Sequence, residues 1–114
     1  KWTFKQLLVH VIDTERIFNY RALRFARNDS TELKGFDHDS YNENVEANSR
    51  SLQELLDEFK TVRASSISLY KSFSEEVLLR KGSASGNIIS VRAIGFLISG
   101  HQKHHLKIFE ERYF

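Results

Sequence analysis

Cysteine, methionine and proline are all absent from this 114-residue chain, and each absence narrows what the protein can be. Without cysteine there are neither disulfides nor thiolate ligands, so any bound metal must be held by His, Asp or Glu. The redox compartment stays open on that count, and a cytoplasmic location is the default expectation. Without proline nothing interrupts a long helix. The missing methionine, with an opening on Lys1-Trp2, is read as a chain lacking N-terminal residues. No apolar stretch approaches the roughly 20 residues that span a bilayer, and nothing resembles a signal peptide, so no membrane partner is expected. Charge of one sign is scarce as well: the formal net charge is +2 and no Lys/Arg run exceeds two residues, which argues against a nucleic-acid partner.

What is present suits a single domain spanning 1–114. Hydrophobic residues make up 40% of the chain, with nine Phe and four Tyr, enough for a modest core. Helical periodicity dominates. Thr3-x-x-Gln6 has the form of a capping box, flanked by Trp2 and Leu7 at the positions of a hydrophobic staple. The helix so begun should reach about Arg27. Its apolar arc (Phe4, Leu7, Leu8, Val11, Ile12, Phe18, Ala22, Phe25) is wider than a one-sided helix needs, which predicts two packing neighbours. Residues 28–48 lose the pattern and read as a long lid or binding loop, with Phe36 and Tyr41 to hold it down.

A second capping box, Ser51-x-x-Glu54, opens a helix with one apolar stripe: Leu52, Leu55, Leu56, Phe59, Val62, Ile67, Tyr70 and Phe73. The segment "SEEVLLRK" then leads to "GSASG", a flexible turn. The last helix is predicted from about Asn87 to Arg112, and no strand signal competes anywhere. Three long helices predict an all-α antiparallel bundle, and the wide arc of the first hints at a fourth.

Three of the five histidines fall within "HQKHH", residues 101–105. On a helical wheel Ile94, Leu97, Ile98, His105 and Ile108 lie within about 60° of His101, placing His101 and His105 on the apolar stripe. Their i,i+4 spacing sets the Cβ atoms about 6 Å apart on one face, right for two imidazoles on one metal. His104 sits at the stripe's edge and could replace either. Gly100 in mid-helix suggests a close approach by backbone or ligand. The bland alternative is a pair of core histidines bonded to neighbours. His10, at the seam beside the first helix's apolar arc, is the natural third ligand; Asp13, at i+3, could orient its ring or be a solvated helix residue, the more common case. His38, in "DHD", reads as an exposed loop residue. Three imidazoles and no fourth protein ligand describe an open site, the catalytic kind, and zinc, nickel or iron would suit it.

At these residues the chain resembles a known family. "KWTFKQLLVHVIDTERIFNYRALRFARND" is similar to the metal-binding helix of the DinB-like superfamily, and "SVRAIGFLISGHQKHHLKIFEERY" to its last helix. The resemblance implies an up-down-down-up four-helix bundle, usually a homodimer, holding a divalent metal on His10, His101 and His105, with His104 a neighbour. The family's first helix normally precedes "KWT" and is missing here. Some relatives are transferases or isomerases using bacillithiol, mycothiol or glutathione, so the resemblance implies a thiol-dependent transferase acting on a small molecule. In that scheme the metal activates a low-molecular-weight thiol or a water, and Asp13, Glu15, Arg21 and Arg24 are possible helpers at its mouth. The alternative is a non-catalytic bundle serving as a binding or interaction module, its metal structural or vestigial.

Overall fold

The computed structural model describes residues 2–113, with side chains as far as His105 and at Lys107; the wheel position expected for Ile108 lies outside the described side chains. Helix α1 (Phe4–Ala26) begins at a reciprocal capping box. The Thr3 N–H donates to Gln6 Oε1 (2.9 Å) and the Gln6 N–H to Thr3 Oγ1 (3.2 Å), so two otherwise orphaned donors are satisfied. The helix stops where Asn28 takes φ +58°, a conformation Asn tolerates better than most residues. As its wide apolar arc predicts, α1 packs against both other long helices, α3 (Leu52–Lys71) and α5 (Val91–Tyr113).

The core divides along α1. One cluster gathers Leu8, Val9 and Ile12 against Leu55 and Val62 of α3 and Ala47 of a 3-10 turn (Ala47–Ser49). The other gathers Ala22, Phe25 and Ala26 against Val91, Ile94 and Ile98 of α5. Pairings along the helices fix their directions. Glu15 meets Arg63 and Asn19 meets Ser66, so α1 and α3 run the same way. His10 meets His105 while Phe25 meets Val91, so α5 opposes both. An antiparallel relation therefore holds for α5 but not between α1 and α3. The long connection after α1 carries the chain back to the start level, which parallel neighbours require.

That connection is not structureless. Helix α2 (His38–Glu43) lies within it, begun by Asp37, whose Oδ1 accepts the N–H of Asp39 and of Ser40. Phe36 packs on Tyr41, but Tyr41 stays exposed; buried Leu33, Asn42 and Ala47 do more of the anchoring. A second departure is a short antiparallel hairpin of β1 (Lys81–Ala84) and β2 (Asn87–Ser90), where no strand was expected. Its two-residue turn places Ser85 at φ +52° and Gly86 at φ +78°, both positive as a type I′ turn requires. Leu33 extends the ladder, donating its N–H to Ser83 O and accepting from Ser85 N, each at 2.9 Å. Gly82 lets the buried Phe25 ring lie against β1, since any Cβ there would collide with it. Because β2 uses residues 87–90, α5 starts at Val91 and not at Asn87, with Ser90 Oγ accepting the Ala93 N–H (3.0 Å). A short helix α4 (Glu75–Leu78) precedes the hairpin.

The second capping box forms by half. Ser51 Oγ accepts the Glu54 N–H (3.1 Å), but the Glu54 carboxylate accepts from Arg50 Nε (2.7 Å) instead of turning back. The α3 stripe is also less covered than its pattern suggests, with Leu52 and Ile67 exposed. Between α3 and α5 runs an apolar groove of about 460 Å³, lined by Ile67, Tyr70, Phe96 and Ile98. No helix among the described residues is long and apolar enough to cross a membrane.

Candidate metal centre

The opposed directions of α1 and α5 bring the beginning of one to the far half of the other, and His10, His101 and His105 meet there. Their Nε2 atoms stand 3.3 Å (His10–His101), 3.2 Å (His10–His105) and 2.9 Å (His101–His105) apart. His10 is buried, at 5% exposure; His101 and His105 are half-buried, not in mid-core as the wheel suggested, and Leu97 beside them is exposed. On the α3 side the floor is apolar. A small cavity of about 110 Å³ lies there, its wall formed by Phe4, Leu8, Val11, Leu56 and Phe59 together with His105.

The cluster cannot satisfy itself. In a neutral imidazole each ring nitrogen is either a donor or an acceptor. Three Nε2 atoms share two roles, so at least one of the three pairs opposes like to like. Protonation offers no escape. Burial first, then the neighbouring His101 and His105, pushes His10 down to about 3. Burial, then His105, pushes His101 down to about 4, and burial also lowers His105. The three are therefore neutral at neutral pH, each with one ring nitrogen that carries no proton and can bind a metal. For metal–nitrogen bonds of about 2.0–2.1 Å, ligand nitrogens stand roughly 2.9–3.4 Å apart in regular tetrahedral or octahedral coordination, the range seen here. The donor set fits a divalent cation.

The other sequence candidates lie elsewhere or act differently. His104 is exposed, its ring centroid 5.5 Å from that of His105. Among the described residues His10's hydrogen-bond partners are His101 and His105, not Asp13. Asp13 lines a separate pocket with Ser40, Tyr41 and Asn44, and burial raises its carboxyl above the usual range. Arg24 pairs with Asp29 and Tyr20, and Arg21 donates to Lys34 O and Ser85 Oγ. A Cβ at Gly100 would meet nothing within 4 Å, so no described part of the chain makes the close approach expected there. His38 is exposed, as read, but it is not remote: its ring lies edge-on to His10 with centroids 4.8 Å apart.

Glu15 is no helper at the mouth. It is 3% exposed and sits in a bidentate pair with Arg63 (Nε–Oε2 and Nη2–Oε1, each 2.9 Å), while Ser66 Oγ donates to it at 2.6 Å. Arg63 also donates to Gln102 Oε1 (2.7 Å), joining α1, α3 and α5 beside the histidines. Sequence reading missed Arg63, Ser66 and Gln102. The only local signal was a carboxylate among the apolar residues of α1.

A helical bundle that presents three convergent imidazoles belongs to the class of histidine-site bundle proteins. More specifically, the chain belongs to the DinB superfamily, whose family model matches residues 1–109. Its fold is similar to that of YfiT from Bacillus subtilis, described as a probable metal-dependent hydrolase with an unusual four-helix bundle topology. The TM-score is 0.83 at 17% identity, over 96% of this chain and 64% of that one. The chain thus spans less than two thirds of that structure. No curated protein matches it.

Proposed function

We propose that this chain is a metal-dependent enzyme in which His10, His101 and His105 hold one divalent cation through their Nε2 atoms. The observation that carries this is the convergence of three neutral imidazoles whose Nε2 atoms stand within 3.3 Å of one another, a set no hydrogen-bonding scheme satisfies. A zinc, nickel or iron ion bound there would lower the pKa of a water or thiol, yielding a nucleophile at neutral pH. His10 supplies the rigid donor, since α1 is packed on two sides. His101 and His105 supply a chelating pair one helical turn apart. The apolar floor keeps water from the α3 side, so a small-molecule substrate enters from the opposite, solvent side. The hydrolase description of YfiT favours water as nucleophile; the thiol-dependent transferases of the wider family favour a small thiol. Within the proposal, the bundle order is up-down-down-up, supported by the shared direction of α1 and α3 and the opposite run of α5, and the assembly is a homodimer.

The test is elemental analysis of tag-free protein purified without chelators or metal resin, alongside His101→Ala. About one divalent ion per chain, lost in a folded His101→Ala variant, is expected. A wild-type protein that takes up none of zinc, nickel or iron would end the proposal. Adding thiols to the loaded protein separates the nucleophiles: a spectral shift of bound nickel indicates a thiol, and an unchanged spectrum indicates water.

A further inference from the structure

We infer that His38 is a binding residue of the same site, donating a ring N–H to whatever exogenous group occupies the open side of the three nitrogens; this rests on the metal-site reading above. His38 is the first residue of α2, and its place is set from several directions. Asn42 of α2, buried, donates to Gln6 O at 3.0 Å and so ties α2 to the beginning of α1. The Phe36 ring lies against His38 with centroids 4.3 Å apart, and the His10 ring also lies against it at 4.8 Å, inclined by 74°. The imidazole is therefore held, although it belongs to a connecting segment.

Its relation to the donors differs from theirs to one another. The ligand atoms of His10, His101 and His105 all lie within 4.8 Å of each other, and His38 is not part of that set. It is also the exposed one, where His10 is buried and the α5 pair half-buried. On the α3 side Phe4, Leu8, Val11, Leu56 and Phe59, together with Gln102, line a small and mostly apolar cavity. A group arriving from solvent thus has three donors ahead of it, a mostly apolar cavity behind them and an exposed imidazole, that of His38, against one of the three. An imidazole placed just beyond ligand reach orients what the metal binds. The ligand class follows: a small anion or a polarised oxygen that can accept one N–H bond while facing three nitrogens.

The experiment uses Co(II) as resident metal and azide as probe, with binding read from the visible absorption of the loaded protein. His38→Ala should keep one cobalt per chain and bind azide about tenfold more weakly, the loss of one hydrogen bond to a charged group. His38→Gln, which retains an N–H, should recover most of that loss. Cobalt lost from His38→Ala would make His38 a ligand and overturn the inference. Unchanged azide affinity at full cobalt, or a Gln variant as weak as the Ala variant, would overturn it too. Wild-type protein that takes no cobalt would instead defeat the metal-site reading, and the inference with it.

Discussion

Helix α1 buries three polar side chains, His10, Thr14 and Glu15, and the company that His10 and Glu15 keep is opposite in kind. Glu15 meets a guanidinium in bidentate geometry and a hydroxyl, so charge and lone pairs are matched. His10 meets two more imidazoles, which repeat its own chemistry and cannot complete it. A buried ion pair that closes on itself is part of the scaffold. A buried cluster of like groups, with lone pairs converging, calls for something from outside. Burial alone does not distinguish structure from site; complementarity does.

The largest effect that could break this comparison is at the ion pair. Arg63→Ala strands the Glu15 carboxylate, 3% exposed, and should lower unfolding free energy by about 3 kcal/mol in urea titration. The double variant Glu15→Leu/Arg63→Leu should recover most of it, because no charge is then left unpaired. A loss well under about 1 kcal/mol for Arg63→Ala would mean that the pair is not structural.

An effect of similar size comes from pH. His10 and His101 have folded pKa values below their ordinary 6.5, at about 3 and 4. As pH falls below about 6.5 the unfolded chain takes up protons that the folded one refuses. Metal-free protein should therefore lose stability steadily from pH 6.5 towards 4, as a falling melting temperature in chelator. His101→Ala should flatten that slope, since it removes one of the suppressed titrations and a neighbour of another. A wild-type melting temperature that rises on acidification would show the cluster to be stabilised by protons.

The smallest effect sharpens the contrast most. At pH 8 in chelator, His101→Ala should change unfolding free energy by no more than about 1 kcal/mol, because a half-buried ring with an unsatisfied partner contributes little to the fold. Differential calorimetry on both variants would set this beside Arg63→Ala. Equal losses would place the two clusters in one category.

How far these features could be read from the chain depends on the distance over which each is encoded. The capping box at Thr3 was legible because its bonds link positions three apart. The pairing of His101 with His105 was legible because helical pitch alone puts i and i+4 on one face. The hairpin was not. Lys81-Gly82-Ser83-Ala84 has little strand propensity, and it pairs because Leu33 joins the ladder and Phe25 lies over Gly82. Arg63 gave no sign of its partner, since its pairing with Glu15 exists only once α1 and α3 run side by side. His38 read correctly as exposed, yet exposure said nothing of the ring beside it.

By itself, then, the sequence determined the helices, the broad faces they bury and the spacing of two donors. Each is a matter of backbone bonds and side chains within about four positions of one another. Only the tertiary structure decided that α1 and α3 share a direction, that the His10 ring meets those of His101 and His105, as its place at the seam had suggested, and that the His38 ring lies against His10. Those outcomes depend on how residues 27–51 return the chain and how α5 opposes α1. They are set by packing between segments far apart in the chain, which no local periodicity encodes.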